Sequence, residues 1–217
     1  MPIRGRLGFC TALAGLGAVT FLPFLSASAH QRTQDLIGFA IAVTVVATLS
    51  SWVGLRCADA VGLPMPLLRR LDGGAVGALR PRASAVTVIA GLVLGGAGVV
   101  LLQLSHAPAL PGTAIARALS VVFAAGPLEL VLHLGVMSVA VRLANGRRWV
   151  GIVAGAVVLA LFHLSDGASA QPAAVLAAAI AGNATIGAAL GWLYAAYGFE
   201  YAMLCHAIAH LIVVLAG

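Results

Sequence analysis

Two histidines near the C-terminus are the first residues whose type and spacing point to chemistry. His206 and His210 lie four residues apart in the apolar stretch YGFEYAMLCHAIAH, and therefore on one face of a helix. A polar ring in such a stretch must find a partner or it costs free energy. Glu129 lies in a second apolar stretch, GPLELVLHLGVM, with His133 one helical turn after it. The sequence thus predicts polar groups within apolar surroundings.

The composition indicates that these surroundings are a membrane. Of the 217 residues, 62% are hydrophobic and only 8% are charged, which is typical of a polytopic membrane protein and excludes an ordinary soluble domain. The twelve basic residues, all arginines, are spread along the chain and do not favour nucleic-acid binding. The three cysteines show no C-x-x-C spacing, so neither a disulfide framework nor a zinc knuckle is predicted.

Seven apolar segments are long enough to cross a bilayer, whose core of about 30 Å needs roughly 20 residues per helix. They lie at residues 7–29, 36–55, 84–104, 116–142, 149–165, 173–196 and 200–216. With the N-terminus in the cytoplasm, ten arginines fall on the cytoplasmic side, and only Arg32 and Arg117 fall outside, as the positive-inside rule requires. We therefore predict an all-α polytopic protein of the cell (inner) membrane with about seven transmembrane helices and a cytoplasmic N-terminus.

Two segments of the N-terminal part allow more than one interpretation. Residues 1–29 have the basic start, apolar run and small residues of a signal peptide, although the length of the run favours an uncleaved first helix. The connection 56–83 contains GLPMPLLRRLDGG, which fits either an interfacial helix or a linker held near anionic lipid. Small-x-x-x-small spacings predict close helix packing, at Gly91, Gly95, Gly187 and Gly191.

Glu129 is the acidic residue that cannot be assigned to a loop or a helix end. It lies near the middle of the fourth predicted span, where an ionisable group costs at least ~2.5 kcal/mol and is a functional candidate by default. A protonated carboxyl bonded to a neighbouring helix is the structural alternative, and each histidine taken singly is a packing residue. Four histidines on three predicted helices nevertheless accompany it, namely His133, His163, His206 and His210. Together they predict one shared polar site.

Such a site supports two kinds of hydrolytic chemistry. A buried carboxylate can take a proton from water as a general base, which we assign to Glu129, while histidines share that water or donate hydrogen bonds to an oxyanion. The same set of Glu129, His133, His163, His206 and His210 could instead hold a divalent metal such as zinc, with a metal-bound water as nucleophile. The H-E-x-x-H motif of zinc proteases and a G-x-S-G serine motif are both absent. The residues leave the two alternatives open.

Three stretches resemble the motifs of the CPBP family of intramembrane proteases, the CAAX prenyl protease and bacteriocin-processing group. GWLYAAYGFEYAMLCHAIAH resembles the third motif region, PLELVLHLG the first motif, E-E-x-x-x-R-G, and LALFH the second, F-x-x-x-H. The chain departs from the family pattern at four positions: Leu130 replaces the second glutamate, Leu134 the arginine, Leu159 the phenylalanine and His210 the asparagine. A register shifted by one residue would put His133 at the arginine but misplace Gly135.

The resemblance implies an intramembrane endopeptidase whose catalytic residues are Glu129, His163, His206 and His210. Glu129 and His163 would activate water, and His206, helped by His210, would stabilise the oxyanion. Residues 84–217 would form the protease core and residues 1–83 the N-terminal helices and cytoplasmic loop. The implied partners are a membrane-associated protein or peptide substrate and the bilayer, not nucleic acid, and no cofactor is certain.

Two other functions stay open. The loss of the second glutamate and of the arginine, at Leu130 and Leu134, is compatible with an inactive CPBP-like membrane protein that acts in binding or immunity. Paired transmembrane histidines such as His206 and His210 can also be axial ligands of a haem or bind a metal, but that function would leave Glu129 unexplained.

Overall fold

The computed structural model describes residues 3–29, 33–73, 80–105, 113–162 and 173–216, and every regular element within these ranges is helical. The elements are α1 (Arg4–Ala29), α2 (Thr33–Val61), a 3₁₀ helix (Leu68–Asp72), α3 (Pro81–Ser105), α4 (Ala114–Glu129), a π-helical segment (Leu130–Met137), α5 (Ser138–Leu143), α6 (Arg148–Phe162), α7 (Ala173–Ala196) and α8 (Phe199–Ala216). Each of the seven predicted apolar segments coincides with helical structure over its described residues.

Five stretches of helix are long and apolar enough to cross a membrane: Gln34–Val61, Pro81–Val100, Ala125–Leu143, Ala173–Ala196 and Phe199–Ala216. Helix α6 is apolar but has only 15 residues. Many large apolar side chains on these helices are exposed, Ile41, Val93 and Leu161 among them, as a lipid-facing surface requires. The prediction of an all-α membrane protein is thus confirmed, whereas the count of seven spans stays a prediction.

Helices α4 and α5 are joined without a break by the π-helical segment. Helix α4 has 16 residues, the π-helical segment 8 and α5 6, so Glu129 lies near the middle of one long helical rod. Pro127, two residues before Glu129, has no N–H to donate to the helix. The wider turns of a π-helix often mark functional positions, and this segment begins directly after the glutamate.

Glycines bring the helices of the C-terminal half close together. A Cβ on Gly91 or Gly95 of α3 would lie 2.8 Å from a side-chain atom of Ile208 or Ile212 on α8. On α7, a Cβ on Gly187 would lie 2.8 Å from the Cα of Ala156 on α6. The predicted small-x-x-x-small packing is therefore confirmed at these positions. It places α8 against α3 and α6 against α7.

Helix α2 approaches the π-helical segment at Gly54. A Cβ at this position would lie 2.1 Å from the carbonyl oxygen of Leu134 and 3.0 Å from the backbone nitrogen of Gly135. Backbone atoms cannot move aside as a flexible side chain can, so this contact requires glycine. The same helix has a second glycine, Gly38, whose Cβ would meet nothing within 4 Å.

One end of the bundle is held by charged groups that the sequence separates widely. The buried guanidinium of Arg6 donates to Asp59, with Nη1···Oδ1 at 2.9 Å and Nη2···Oδ2 at 2.7 Å, and also to Asp72. Oε1 of Glu200, at the start of α8, accepts from the backbone N–H groups of Leu67 at 2.8 Å and Leu68 at 2.6 Å. The connection after α2 therefore packs onto the bundle over its described residues, where it forms a short 3₁₀ helix; whether it lies at the membrane interface stays a prediction.

Gly54→Ala is expected to lower the free energy of unfolding by about 1–3 kcal/mol, because the added methyl group overpacks the contact between α2 and the π-helical segment. Gly38→Ala is the matched control on the same helix and should leave stability unchanged or slightly raised. Apparent melting temperatures of the two purified variants in one detergent measure the difference. Equal melting temperatures would contradict the close approach at Gly54.

Candidate functional site

The carboxyl group of Glu129 is the centre of the polar site. The residue has no exposed surface, and its two oxygens face two histidines from different parts of the chain. Burying an unpaired carboxylate in apolar surroundings would be prohibitive, so the site depends on these partners.

The first partner is His206 on α8. Its Nδ1 lies 2.6 Å from Oε1 of Glu129, in a buried hydrogen bond between residues 77 positions apart in sequence. Helix α8 packs directly against α4, and the glycine contacts with α3 hold α8 from its other side. This distance is short for an N–H···O hydrogen bond, as expected where one of the two groups carries a charge.

The second partner is His133, one turn further along the helical rod. Its Nδ1 lies 2.9 Å from Oε2 of Glu129, and both side chains are fully buried. The N–H direction does not point at the oxygen, so neither atom has a well-aligned hydrogen-bond partner among the described residues. The short distance together with the poor alignment makes this a close electrostatic contact rather than a good hydrogen bond.

The opposite edge of the His133 ring contacts α7. Its Nε2 lies 3.2 Å from the carbonyl oxygen of Gly187. Gly155 on α6 lies beside the ring, where a Cβ would make an ordinary van der Waals contact of 3.6 Å with Cδ2 of His133. Sequence reasoning interpreted Gly187 only as a packing residue and did not single out Gly155. A carbonyl acceptor leaves no signal in the residue type, so this partner could not be found from the sequence.

The contacts of His133 determine where one proton lies. A carbonyl oxygen only accepts, so the Nε2 that faces Gly187 carries a hydrogen. If Nδ1 then had only its lone pair, two acceptors would face each other at 2.9 Å and repel. The pair of Glu129 and His133 therefore holds one further proton, either as carboxylate and imidazolium or as carboxylic acid and imidazole.

The second histidine of α8, His210, stacks on His206. The ring centroids lie 4.4 Å apart with an angle of 28° between the planes. His206 is 4% exposed, and His210 is partly exposed. His163, the remaining predicted member of the site, lies outside the described residues, so its role stays a prediction.

The described donors are not arranged as a set of zinc ligands, and a metal site stays a prediction because His163 lies outside the described residues. Among the described residues, no group of three or more His, Cys, Asp and Glu side chains is arranged to hold a metal. Zinc–ligand bonds of about 2.0–2.2 Å in a tetrahedral site separate two donor atoms by roughly 3.3 Å. Nδ1 of His206 lies only 2.6 Å from the Glu129 oxygen, so the two atoms bond each other rather than a shared ion.

The two positions at which the chain departs from the CPBP first motif are both in the apolar core. Leu130 and Leu134 follow Glu129 in the π-helical segment, and neither has exposed surface. Replacing a buried ion pair by well-packed apolar residues is often neutral or favourable for stability. These leucines therefore belong to the apolar core, and His133 is the polar partner of Glu129 within the π-helical segment.

Comparison of the chain with protein-family models, with curated proteins and with solved structures gave no match. The resemblance to the CPBP family therefore stays a prediction. The function has to be argued from the geometry of Glu129 and its histidines.

A double-mutant cycle is expected to give a coupling of about 1–3 kcal/mol between Glu129 and His206, the range for a buried hydrogen bond that involves a charged group. The cycle uses Glu129→Gln, His206→Asn and the double variant, with unfolding measured in detergent. Arg142→Gln, an exposed change thirteen residues further along the same rod, provides the control pair with Glu129. Coupling no larger than that control would refute the predicted interaction.

Proposed function

We propose that this protein is an intramembrane endopeptidase that hydrolyses a peptide bond of a membrane-associated protein or peptide. The observation that carries the proposal is the contact of one buried carboxylate, Glu129, with His133 and His206 near the middle of a long apolar helical rod. An ionisable cluster at that depth is expensive for a membrane protein and is a functional candidate for that reason. The choice of a peptide as substrate rests on the resemblance of the motifs.

The geometry favours a specific division of roles. Both oxygens of Glu129 already face a ring nitrogen, so the carboxylate acts on water through His206. With Nδ1–H of His206 donating to Glu129, Nε2 keeps the lone pair that can take a proton. The sequence alone assigns the base to Glu129 and the oxyanion contact to His206. In this proposal His206 is the base, and Glu129 orients its ring and stabilises the imidazolium that forms when it takes a proton.

The reaction then follows the usual course of general-base hydrolysis. Water gives a proton to Nε2 of His206 while its oxygen bonds the peptide carbonyl carbon, and the carbonyl oxygen becomes an oxyanion. As the C–N bond breaks, the same proton passes to the leaving amine. His210, which stacks on His206, is one candidate donor of a hydrogen bond to the oxyanion, and His163 is the other.

A specific observation favours a second candidate, a non-catalytic membrane protein of the same architecture that acts in binding or immunity. Glu129 is fully enclosed, and both Leu130 and Leu134 fill positions where the family has charged residues. In that case Glu129, His133 and His206, here called the Glu129 cluster, have only the structural role of holding α4, α7 and α8 together. A haem site is less well supported, because His206 and His210 stack on one another and do not face each other across a plane, as axial ligands must.

Cleavage of co-expressed membrane proteins tests the proposal. Wild-type protein is expected to process a substrate. Glu129→Gln should reduce the rate by at least about 100-fold, because a neutral amide cannot stabilise the positive charge that His206 gains when it takes a proton. Glu200→Gln is the matched control, since it removes another buried carboxylate but keeps an oxygen to accept from Leu67 and Leu68. Membrane abundance of each variant is measured in the same cells.

Two outcomes would refute the peptidase proposal. Equal processing by wild type and Glu129→Gln would exclude Glu129 from the reaction. No processing by the wild type across a broad panel of membrane substrates would favour the non-catalytic alternative.

His210→Asn is expected to keep at least about a third of wild-type activity, while His210→Leu should lose at least about 90% of it. Asparagine is the residue of the family motif, and its amide can donate the hydrogen bond that an oxyanion needs. Relative rates on the substrate identified above measure the difference. Equal rates for the Asn and Leu variants would remove His210 from the oxyanion role.

A further inference from the structure

A cavity at the charged end of the bundle is separate from the Glu129 cluster. Its volume is about 490 Å³. It lies where the C-terminal ends of α2 and α7 meet the N-terminal ends of α3, α6 and α8. Three arginines and two tyrosines line it, namely Arg69, Arg80, Arg148, Tyr197 and Tyr201. These residues come from four separate parts of the chain, so no local motif in the sequence marks the cavity.

The cavity is electropositive. None of its lining residues is acidic, but two carboxylates lie close behind the lining. One is Asp59, 3.6 Å from the guanidinium of Arg69, and the other is Glu200, whose Oε1 is already occupied by the backbone N–H groups of Leu67 and Leu68. Asp59 already receives two hydrogen bonds from Arg6, so it offsets Arg69 only in part. Arg80 and Arg148 leave the cavity with a net positive charge.

The arginines are held on a preformed frame. Nη1 of Arg148 donates to the carbonyl oxygen of Ala195 at 2.8 Å, and the backbone N–H of Arg80 donates to the hydroxyl of Tyr201 at 3.1 Å. Behind them, the N–H of Phe199 donates to the carbonyl oxygen of Pro64 at 3.2 Å. The guanidinium of Arg148 and the backbone at Arg80 are thus held in place before a ligand binds, which lowers the ordering cost at these two points.

The aromatic residues around the cavity are of the types that favour a position at the membrane interface. Tyr197 packs edge-on against Trp192, with ring centroids 5.6 Å apart, and against Tyr201 at 6.3 Å. Trp192 and Trp149, the latter next to Arg148, are both exposed. Tryptophan and tyrosine concentrate at the depth of lipid headgroups, so the arginines can be reached both from the headgroup region and from water.

We propose that this cavity binds a phosphate group. The guanidinium fork matches phosphate oxygens in pairs, and arginine is the residue that proteins use most for such planar recognition. Apolar atoms of Pro64, Met65 and Pro66 line the same cavity and would contact the carbon part of a phosphorylated ligand. The phosphate belongs either to the headgroup of an anionic lipid or to a soluble phosphorylated compound. The inference does not depend on the peptidase proposal.

Thermal stabilisation of the purified full chain in a neutral detergent tests this site. The probes are dihexanoyl phosphatidic acid, inorganic pyrophosphate and dihexanoyl glycerol, the last of which lacks the phosphate, all at matched ionic strength. Wild-type protein should be stabilised by a probe that carries phosphate and not by dihexanoyl glycerol. A response to phosphatidic acid alone identifies a lipid source, and a response to pyrophosphate identifies a soluble one.

Variants connect the response to the cavity. Arg80→Ala removes a side chain but keeps the backbone N–H that donates to Tyr201, and should weaken the apparent Kd at least about tenfold. Arg148→Lys keeps the charge but loses the fork, so the expected weakening is smaller. Arg147→Ala, an exposed neighbour that does not line the cavity, is the control and should bind like wild type.

The proposal is wrong if no phosphate probe stabilises the wild type, if Arg80→Ala binds as tightly as the wild type, or if Arg147→Ala loses as much affinity as Arg80→Ala. Circular dichroism and gel filtration establish that each variant is folded before its affinity is compared. Peptidase activity takes no part in the readout, so failure here leaves the proposed function of Glu129 untouched.

Discussion

The need to compensate one buried carboxylate organises the middle of this protein. Glu129 has no exposed surface and contacts His206 on α8 and His133 on its own helical rod. In an apolar bundle, removing either partner would leave one carboxylate oxygen with neither solvent nor a nearby ring nitrogen. The position of α8 against α4 is therefore tied to the protonation state of three side chains, and any reaction at this site takes place within that constraint.

The polar site also requires close helix packing. Its contacts are short, so the helices that carry them must approach closely, and large side chains between the helix backbones would prevent this. Gly54 admits the π-helical segment against α2, and Gly187 admits α7 against α6 while its carbonyl accepts from His133. In a bilayer, small residues provide much of the association energy between helices. The glycines thus have two effects here: they bring helices together, and they expose a backbone acceptor to the site.

The polar groups divide into two regions with different chemistry. Near the middle of the helical rod, a carboxylate and histidines can move a proton. At one end, Arg6 is paired with Asp59 and Asp72, whereas Arg80 and Arg148 line an open cavity without an acidic partner in its wall. Ion pairing gives the first set a structural role, and the excess positive charge of the second is the basis of the proposed phosphate site.

The sequence by itself determined the helices and the residues of interest, because a bilayer imposes span length and makes polar residues stand out against apolar ones. It also determined that His133 shares a face with Glu129, since helical periodicity is local. Only the tertiary structure decided that His206 bonds Glu129 across 77 residues, that Gly187 supplies a carbonyl acceptor, and that arginines from three segments surround one cavity. Those contacts depend on how helices pack, and packing is set by many small side chains acting together, which no single motif records.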